Sequence, residues 1–255
     1  MKIKVLQHLF YSNILLSLSV FWFTWSWNKS NANALLYAEL IALGVLFTYN
    51  FDAIRKFING FENSEKSNWF ENNNVVNKAL MIISFLGIAF ICVFHSTFFF
   101  SVLLKLIIVL SIYLFYTFFN GRKIPMLKMW LIALTWAYLV TLENTIYESL
   151  KLIPLFLSLA IFSDCKDISI DDKFIKTLPQ QIGVKAAKWI GIVLYLIFIV
   201  THFYDANKFS LSIAIIALYS IYLLQFQIKR TELKHISLVD STLILLAFAQ
   251  FINEK

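Results

Sequence analysis

Residues 79–95 read ALMIISFLGIAFICVFH, and residues 98–119 read FFFSVLLKLIIVLSIYLFYTFF. Lys105 is the only Lys, Arg, Asp or Glu in the two stretches, and apolar and polar residues do not alternate along them. A membrane-spanning helix needs roughly 17–25 mostly apolar residues, which cover about 30 Å at 1.5 Å per residue. Each stretch is therefore predicted to span a membrane as a helix, because lipid offers no partners to unpaired backbone groups.

The composition of the whole chain agrees with this prediction. Of the 255 residues, 60% are apolar and only 15% are charged, against about 25% charged in an ordinary soluble domain. A soluble fold of this length cannot hide so much apolar surface, so composition excludes a soluble globular protein, a disordered chain and a nucleic-acid-binding domain. The two cysteines, Cys92 and Cys165, are too few and too far apart for a disulfide framework or a metal knuckle.

Seven further segments have a similar apolar character, which makes nine predicted membrane spans. They lie at approximately 9–27, 33–50, 79–95, 98–119, 129–147, 150–163, 188–203, 208–226 and 236–252. The sixth is short, contains Pro154 and is expected to continue past Asp164. The predicted fold is an all-α integral membrane protein, with nine transmembrane helices in a single bundle and one polytopic domain over residues 1–255.

Basic residues give the predicted orientation. With the N-terminus in the cytoplasm, 17 of the 22 Lys and Arg residues fall on the cytoplasmic side, as membrane topology requires. We expect a multi-pass protein of a bacterial cytoplasmic membrane. A cleaved signal peptide is the alternative for the N-terminus, suggested by Lys2, Lys4 and the Ala32-x-Ala34 spacing. The first apolar run is too long for that, and an uncleaved span is favoured.

Two long loops, 51–78 and 164–187, follow the second and sixth predicted spans. In the first loop, Ile54, Phe57, Ile58 and Phe61 have the spacing of one helical face. This pattern favours a helix lying in the membrane interface. The alternative is a lid over a cavity that faces the cytoplasm.

The second loop begins with Asp164, Asp167 and Asp171, spaced so that all three share one face of a helix. Carboxylates that close together repel one another unless a cation lies between them, and Mg²⁺ prefers such oxygen ligands. Acidic residues at the end of an apolar helix are costly and usually functional. The alternative is a solvated loop whose acids pair with neighbouring lysines.

The residues that follow complete the pattern D-x-x-D-x-x-x-D-x₅-T-L-P-x-x-x-G over 164–183. This pattern resembles the second aspartate-rich motif of the UbiA superfamily of intramembrane prenyltransferases. Nine helices and long cytoplasmic loops after spans two and six are also that family's plan, and the basic stretch 119–128 is similar to the family's. The first aspartate-rich motif differs, because only Asn50 and Asp52 could represent it, and Arg55 and Lys56 follow.

The resemblance implies a cytoplasm-facing central cavity and a Mg²⁺-dependent transfer of an isoprenoid chain from prenyl diphosphate to a lipid-soluble, often aromatic acceptor. It places the transfer reaction inside the membrane, where the protein is in contact with membrane lipid. Catalysis is assigned to Asp167 and Asp171. The implied metal ligands are Asp164, Asp167, Asp171, Asp52 and Asn50, and the implied diphosphate-binding residues are Arg122, Lys123, Lys176, Arg55 and Lys56.

Two other interpretations stay open. The incomplete first motif is compatible with a UbiA-like protein that binds prenyl diphosphate or lipid without transferring it. An unrelated transporter or membrane scaffold is the third possibility, and a transporter is expected to have broken helices or ionisable groups near the midplane of the membrane.

Overall fold

The structure is a computed structural model that describes residues 11–58, 69, 72–118, 124, 126–142, 146–168, 177–204, 211–226 and 242–249. Within these residues the chain is all-helical, and none of them forms a β-strand. The helices are α1 (Ile14–Asn28), α2 (Ala34–Ile58), α3 (Asn74–Phe94), α4 (Ser96–Phe118), α5 (Leu127–Val140), α6 (Ile146–Asp167), α7 (Leu178–Ile182), α8 (Val184–Tyr204), α9 (Leu211–Phe226) and α10 (242–249).

Over the described ranges, four helices are long and apolar enough to cross a membrane. They are Ala34–Arg55 within α2, Asn74–Phe94, Ser96–Phe115 within α4, and Val184–His202 within α8. Their mean hydropathy runs from 1.6 to 2.5. These helices support the prediction of a helical membrane protein. The bundle of nine spans, its cytoplasmic loops and its central cavity stay predictions.

Helices lie in each of the nine predicted segments, but several boundaries differ. The α2 helix continues to Ile58 and takes in the first residues of the predicted loop 51–78. The α5 helix ends at Val140, seven residues before the predicted end of the fifth span. The α6 helix runs from Ile146 through Pro154 to Asp167, so it begins four residues earlier than predicted and continues past Asp164 as predicted. The acidic stretch therefore begins inside a helix.

The chain divides into two compact units. The first contains Met1–Ser101 and Thr231–Ala247, and the second contains Val102–Arg230 and Phe248–Lys255. In the first unit, α2 packs against both α1 and α3. The Ser17 hydroxyl donates to the carbonyl oxygen of Ala42 at 2.8 Å. Gly87 brings α3 so near α2 that an added Cβ would lie 2.9 Å from Leu43 Cδ1. Small residues allow this close packing of membrane helices.

In the second unit, α6 is the central helix and packs against both α5 and α8. The ring of Trp136 on α5 stacks on Phe156, with centroids 6.1 Å apart. On the α8 side, the Ser158 hydroxyl donates to the carbonyl oxygen of Gly191 at 2.7 Å, and the buried Phe162 ring covers the same glycine. The α5–α6–α8 packing fixes the end of α6 where the acidic stretch begins.

Candidate functional site

The first acid of the predicted motif is buried in an ion pair. Asp164 lies near the C-terminal end of α6 and is only 4% exposed. Its Oδ1 accepts a hydrogen bond of 2.7 Å from Nζ of Lys128, which is the second residue of α5. A hydrogen bond between two charged groups is among the stronger ones in proteins. Lys128 was not among the predicted site residues, because only the register of α5 against α6 brings the two together.

Cys165 is buried beside this ion pair, at 2% exposure. Its side chain has almost no contact with solvent, so a reagent reaches the thiol only when this end of α6 opens. Cys165 is therefore a sensitive reporter of any such opening.

Beyond the acidic stretch, the described residues resume at Thr177. Its backbone N–H donates to Oε1 of Gln180 at 3.0 Å, which stabilises the start of the short helix α7. That helix ends at Gly183, whose φ of 85° favours glycine. The α7 helix contacts both α6 and α8. The T-L-P part of the pattern is thus a helix start that packs against the helix carrying Asp164.

The other predicted residues of the second unit are only partly described. Asp167 is the last residue of α6, but its side chain lies outside the described residues. Asp171, Lys176, Arg122 and Lys123 also lie outside them. Among the side chains that the structure does describe, no three His, Cys, Asp or Glu side chains come together as metal ligands.

In the first unit, Asn50 is fully buried where α2 packs against the start of α1. Its amide oxygen accepts a hydrogen bond of 3.3 Å from Nδ2 of Asn13. Its amide nitrogen donates to the carbonyl oxygens of Ser12 at 3.2 Å and Leu46 at 2.8 Å. Asn13 has a φ of 61° and directly precedes α1. Asn50 therefore connects two helices in this structure; its predicted metal-binding role stays a prediction.

Asp52, the acid of the incomplete first motif, forms an ion pair within its own helix. Nη2 of Arg55 donates to Oδ1 of Asp52 at 2.9 Å, and both side chains are partly exposed. Lys56 belongs to α2, but its side chain lies outside the described residues. The structure thus brings Arg55 to a predicted metal ligand. Asn50 and Asp52 belong to the first unit, whereas Asp164 and Asp167 belong to the second.

A polar site that the sequence did not indicate surrounds Lys105. This lysine is 3% exposed and lies nine residues into α4, about 14 Å along the helix. Its ammonium donates to the carbonyl oxygen of Thr141, directly after α5, and lies 4.6 Å from the centroid of the Tyr138 ring. The Thr141 hydroxyl lies 2.9 Å from the hydroxyl of Ser149 on α6.

The end of α5 explains this arrangement. The last carbonyls of a helix have no partners within the helix and carry a partial negative charge. In a membrane such groups must be satisfied by protein. Lys105 provides a donor and a positive charge at this point, and the Thr141 hydroxyl donates back to the carbonyl of Tyr138 at 3.1 Å.

Comparison with known proteins gave no match: no family model, no curated protein and no solved structure corresponds to this chain.

Proposed function

We propose that the protein is a UbiA-like membrane prenyltransferase, which moves an isoprenoid chain from its diphosphate to a lipid-soluble acceptor. The pattern D-x-x-D-x-x-x-D-x₅-T-L-P carries the proposal. Its start is buried at the end of α6, and its T-L-P residues begin a helix that packs against α6. The N-terminus and the acidic stretch lie in the cytoplasm in this proposal.

The donor set fits a hard divalent cation, because three carboxylates fall within eight residues of one another. Asp167 and Asp171 would hold Mg²⁺ with support from Asp164, and Asp52 and Asn50 are the residues that the resemblance gives to the first motif. Mg²⁺ supplies positive charge that stabilises the departing diphosphate.

The chain's own residues have three tasks in this proposal. Arg122, Lys123 and Lys176 donate hydrogen bonds to the diphosphate oxygens as the bond between carbon and oxygen breaks. Arg55 and Lys56 contribute positive charge where the first motif lacks acids. The apolar helices hold the prenyl tail and exclude water from the allylic cation.

Binding of farnesyl and geranylgeranyl diphosphate to the protein in lipid nanodiscs tests the proposal. We expect binding that requires Mg²⁺ and that is lost in the Asp167→Asn/Asp171→Asn variant. Glu148→Gln is the matched control, because this acid lies at the opposite end of α6 and pairs with Lys151 at 3.2 Å. Diphosphate release with an added acceptor would establish transfer. Absence of binding under all conditions would refute the proposal.

One observation favours the non-catalytic alternative, a protein that binds prenyl diphosphate without transferring it. Asp52 already has a cationic partner, Arg55, on its own helix. A catalytic site with two metal ions would need that carboxylate as a ligand. Mg²⁺-dependent binding without diphosphate release, across quinone-ring, sugar-phosphate and lipid-alcohol acceptors, would support this alternative.

A further inference from the structure

We propose that Lys128 and Asp164 form an anchor that positions the acidic stretch, and that Asp164 is a positioning residue and not a metal ligand. This inference rests on the proposed function, because it divides the three acids of the predicted metal site into two roles. Asp167 and Asp171 bind the metal, whereas Asp164 holds the end of α6 in place.

Burial and charge distinguish Asp164 from a metal ligand. A carboxylate that binds a metal together with a substrate diphosphate must face the open site. Asp164 is 4% exposed, whereas Lys128 retains 30% exposure of its side chain. The ammonium lies 2.7 Å from Oδ1, so a metal ion at that oxygen would meet a positive charge at hydrogen-bond distance. Lys128 on α5 is therefore the counter-ion of Asp164 on α6.

The anchor acts on Asp167 through one turn of helix. Asp167 follows Asp164 by three residues, so the turn of α6 that Lys128 fixes also holds the backbone of Asp167. Removing one partner of a buried ion pair leaves an uncompensated charge, whereas removing both is far less disruptive. A set of single and double variants can therefore separate anchoring from metal binding.

The experiment uses the full chain in nanodiscs, in a Cys92→Ser background that leaves Cys165 as the only thiol. The variants are Lys128→Met, Asp164→Asn and the double variant, with Lys151→Met as the matched control. Lys151 forms an ion pair with Glu148 within α6. Mn²⁺ affinity is measured by EPR, as a stand-in for Mg²⁺, and the alkylation rate of Cys165 reports opening at the end of α6.

We expect Lys128→Met and Asp164→Asn each to weaken Mn²⁺ binding by about tenfold, the size of effect seen for residues that orient metal ligands. Cys165 should be alkylated faster in both. In the double variant, the Mn²⁺ affinity and the alkylation rate of Cys165 should both return to within about threefold of the parent protein. Lys151→Met should change neither the affinity nor the rate.

Two results would overturn the inference. Unchanged or tighter Mn²⁺ binding in Lys128→Met would show that Asp164 is a ligand released from a competing cation. Loss of Mn²⁺ binding in the double variant, with Cys165 alkylated no faster than in the parent protein, would also show that Asp164 is a ligand.

If the parent protein binds no Mn²⁺, the metal site of the proposed function fails, and the anchor is then judged on the alkylation rate of Cys165 alone. Faster alkylation in only the single variants supports the anchor, and unchanged rates refute it.

Discussion

Asn50 illustrates how one amide side chain can hold two helices together. It uses its oxygen toward Asn13 and its nitrogen toward the carbonyls of Ser12 and Leu46, with no exposure to solvent. A buried polar group is stabilising only while its partners are in place, because the group and its partners lose water on burial. The start of α1 and the end of α2 therefore depend on this residue.

Asn50→Ala should lower the stability of the protein by about 2 kcal/mol, because it leaves the buried Asn13 amide without its acceptor. The expected fall in Tm is about 5 °C, measured by tryptophan fluorescence in nanodiscs. Asn33→Ala is the control, since Asn33 is exposed. The loss should already be present with EDTA, because it comes from the contact between the two helices. A loss seen only with Mg²⁺ would contradict this prediction and leave Asn50 with the metal alone.

At the scale of helices, α6 and α8 approach one another at Gly191. A Cβ added there would lie 2.9 Å from Cε2 of Phe162, whose ring is fully buried. The neighbouring contact from Ser158 to the carbonyl of Gly191 holds the two backbones at this separation. The glycine is therefore required by the neighbouring helix and not by its own backbone conformation.

Gly191→Ala should destabilise the protein by about 1–3 kcal/mol, the usual cost of overpacking a core. Gly44→Ala is the matched control on α2, where nothing lies within 4 Å of an added Cβ; it should be neutral or stabilising, because alanine is the better helix former. The Tm of each variant is measured by thermal unfolding, and we expect a lower Tm for Gly191→Ala than for Gly44→Ala. Equal Tm values would mean that Phe162 moves aside without cost.

The contrast between α5 and α6 shows what the sequence could predict. The apolar runs in the sequence are enough to predict that these segments are helices. The pattern of a run belongs to its own sequence and does not depend on which helices pack against it. The end of α5 depends on a donor from another helix, Lys105, which lies 36 residues away in sequence. The ion pair between Lys128 and Asp164 spans the same separation. Both contacts depend on helix register, which hydropathy does not contain.

For the whole molecule, composition was the strongest guide. It indicated a helical membrane protein, and the residues that the structure describes are helical, with four helices long and apolar enough to cross a membrane. Which cation each acid pairs with is not given by composition. Asp52 pairs with Arg55 on the same helix, whereas the resemblance implied that Arg55 binds diphosphate.

The predicted orientation can be tested by cysteine labelling in intact cells. Asn33→Cys and Ser169→Cys, each in a background without Cys92 and Cys165, place single thiols in the turn between α1 and α2 and in the acidic stretch. A membrane-impermeant maleimide should label the first in intact cells and the second only after lysis, following the distribution of basic residues. The reverse pattern would refute the cytoplasmic placement of the acidic stretch.

The contact between Lys105 and Thr141 has a consequence for biosynthesis. A ribosome adds about 5–20 residues per second, so Thr141 is made roughly 2–7 s after Lys105, which precedes it by 36 positions. Throughout that interval the ammonium belongs to a nascent helix whose later partner does not yet exist. The cell's insertion machinery therefore meets this charge before it meets the Thr141 carbonyl that accepts its hydrogen bond.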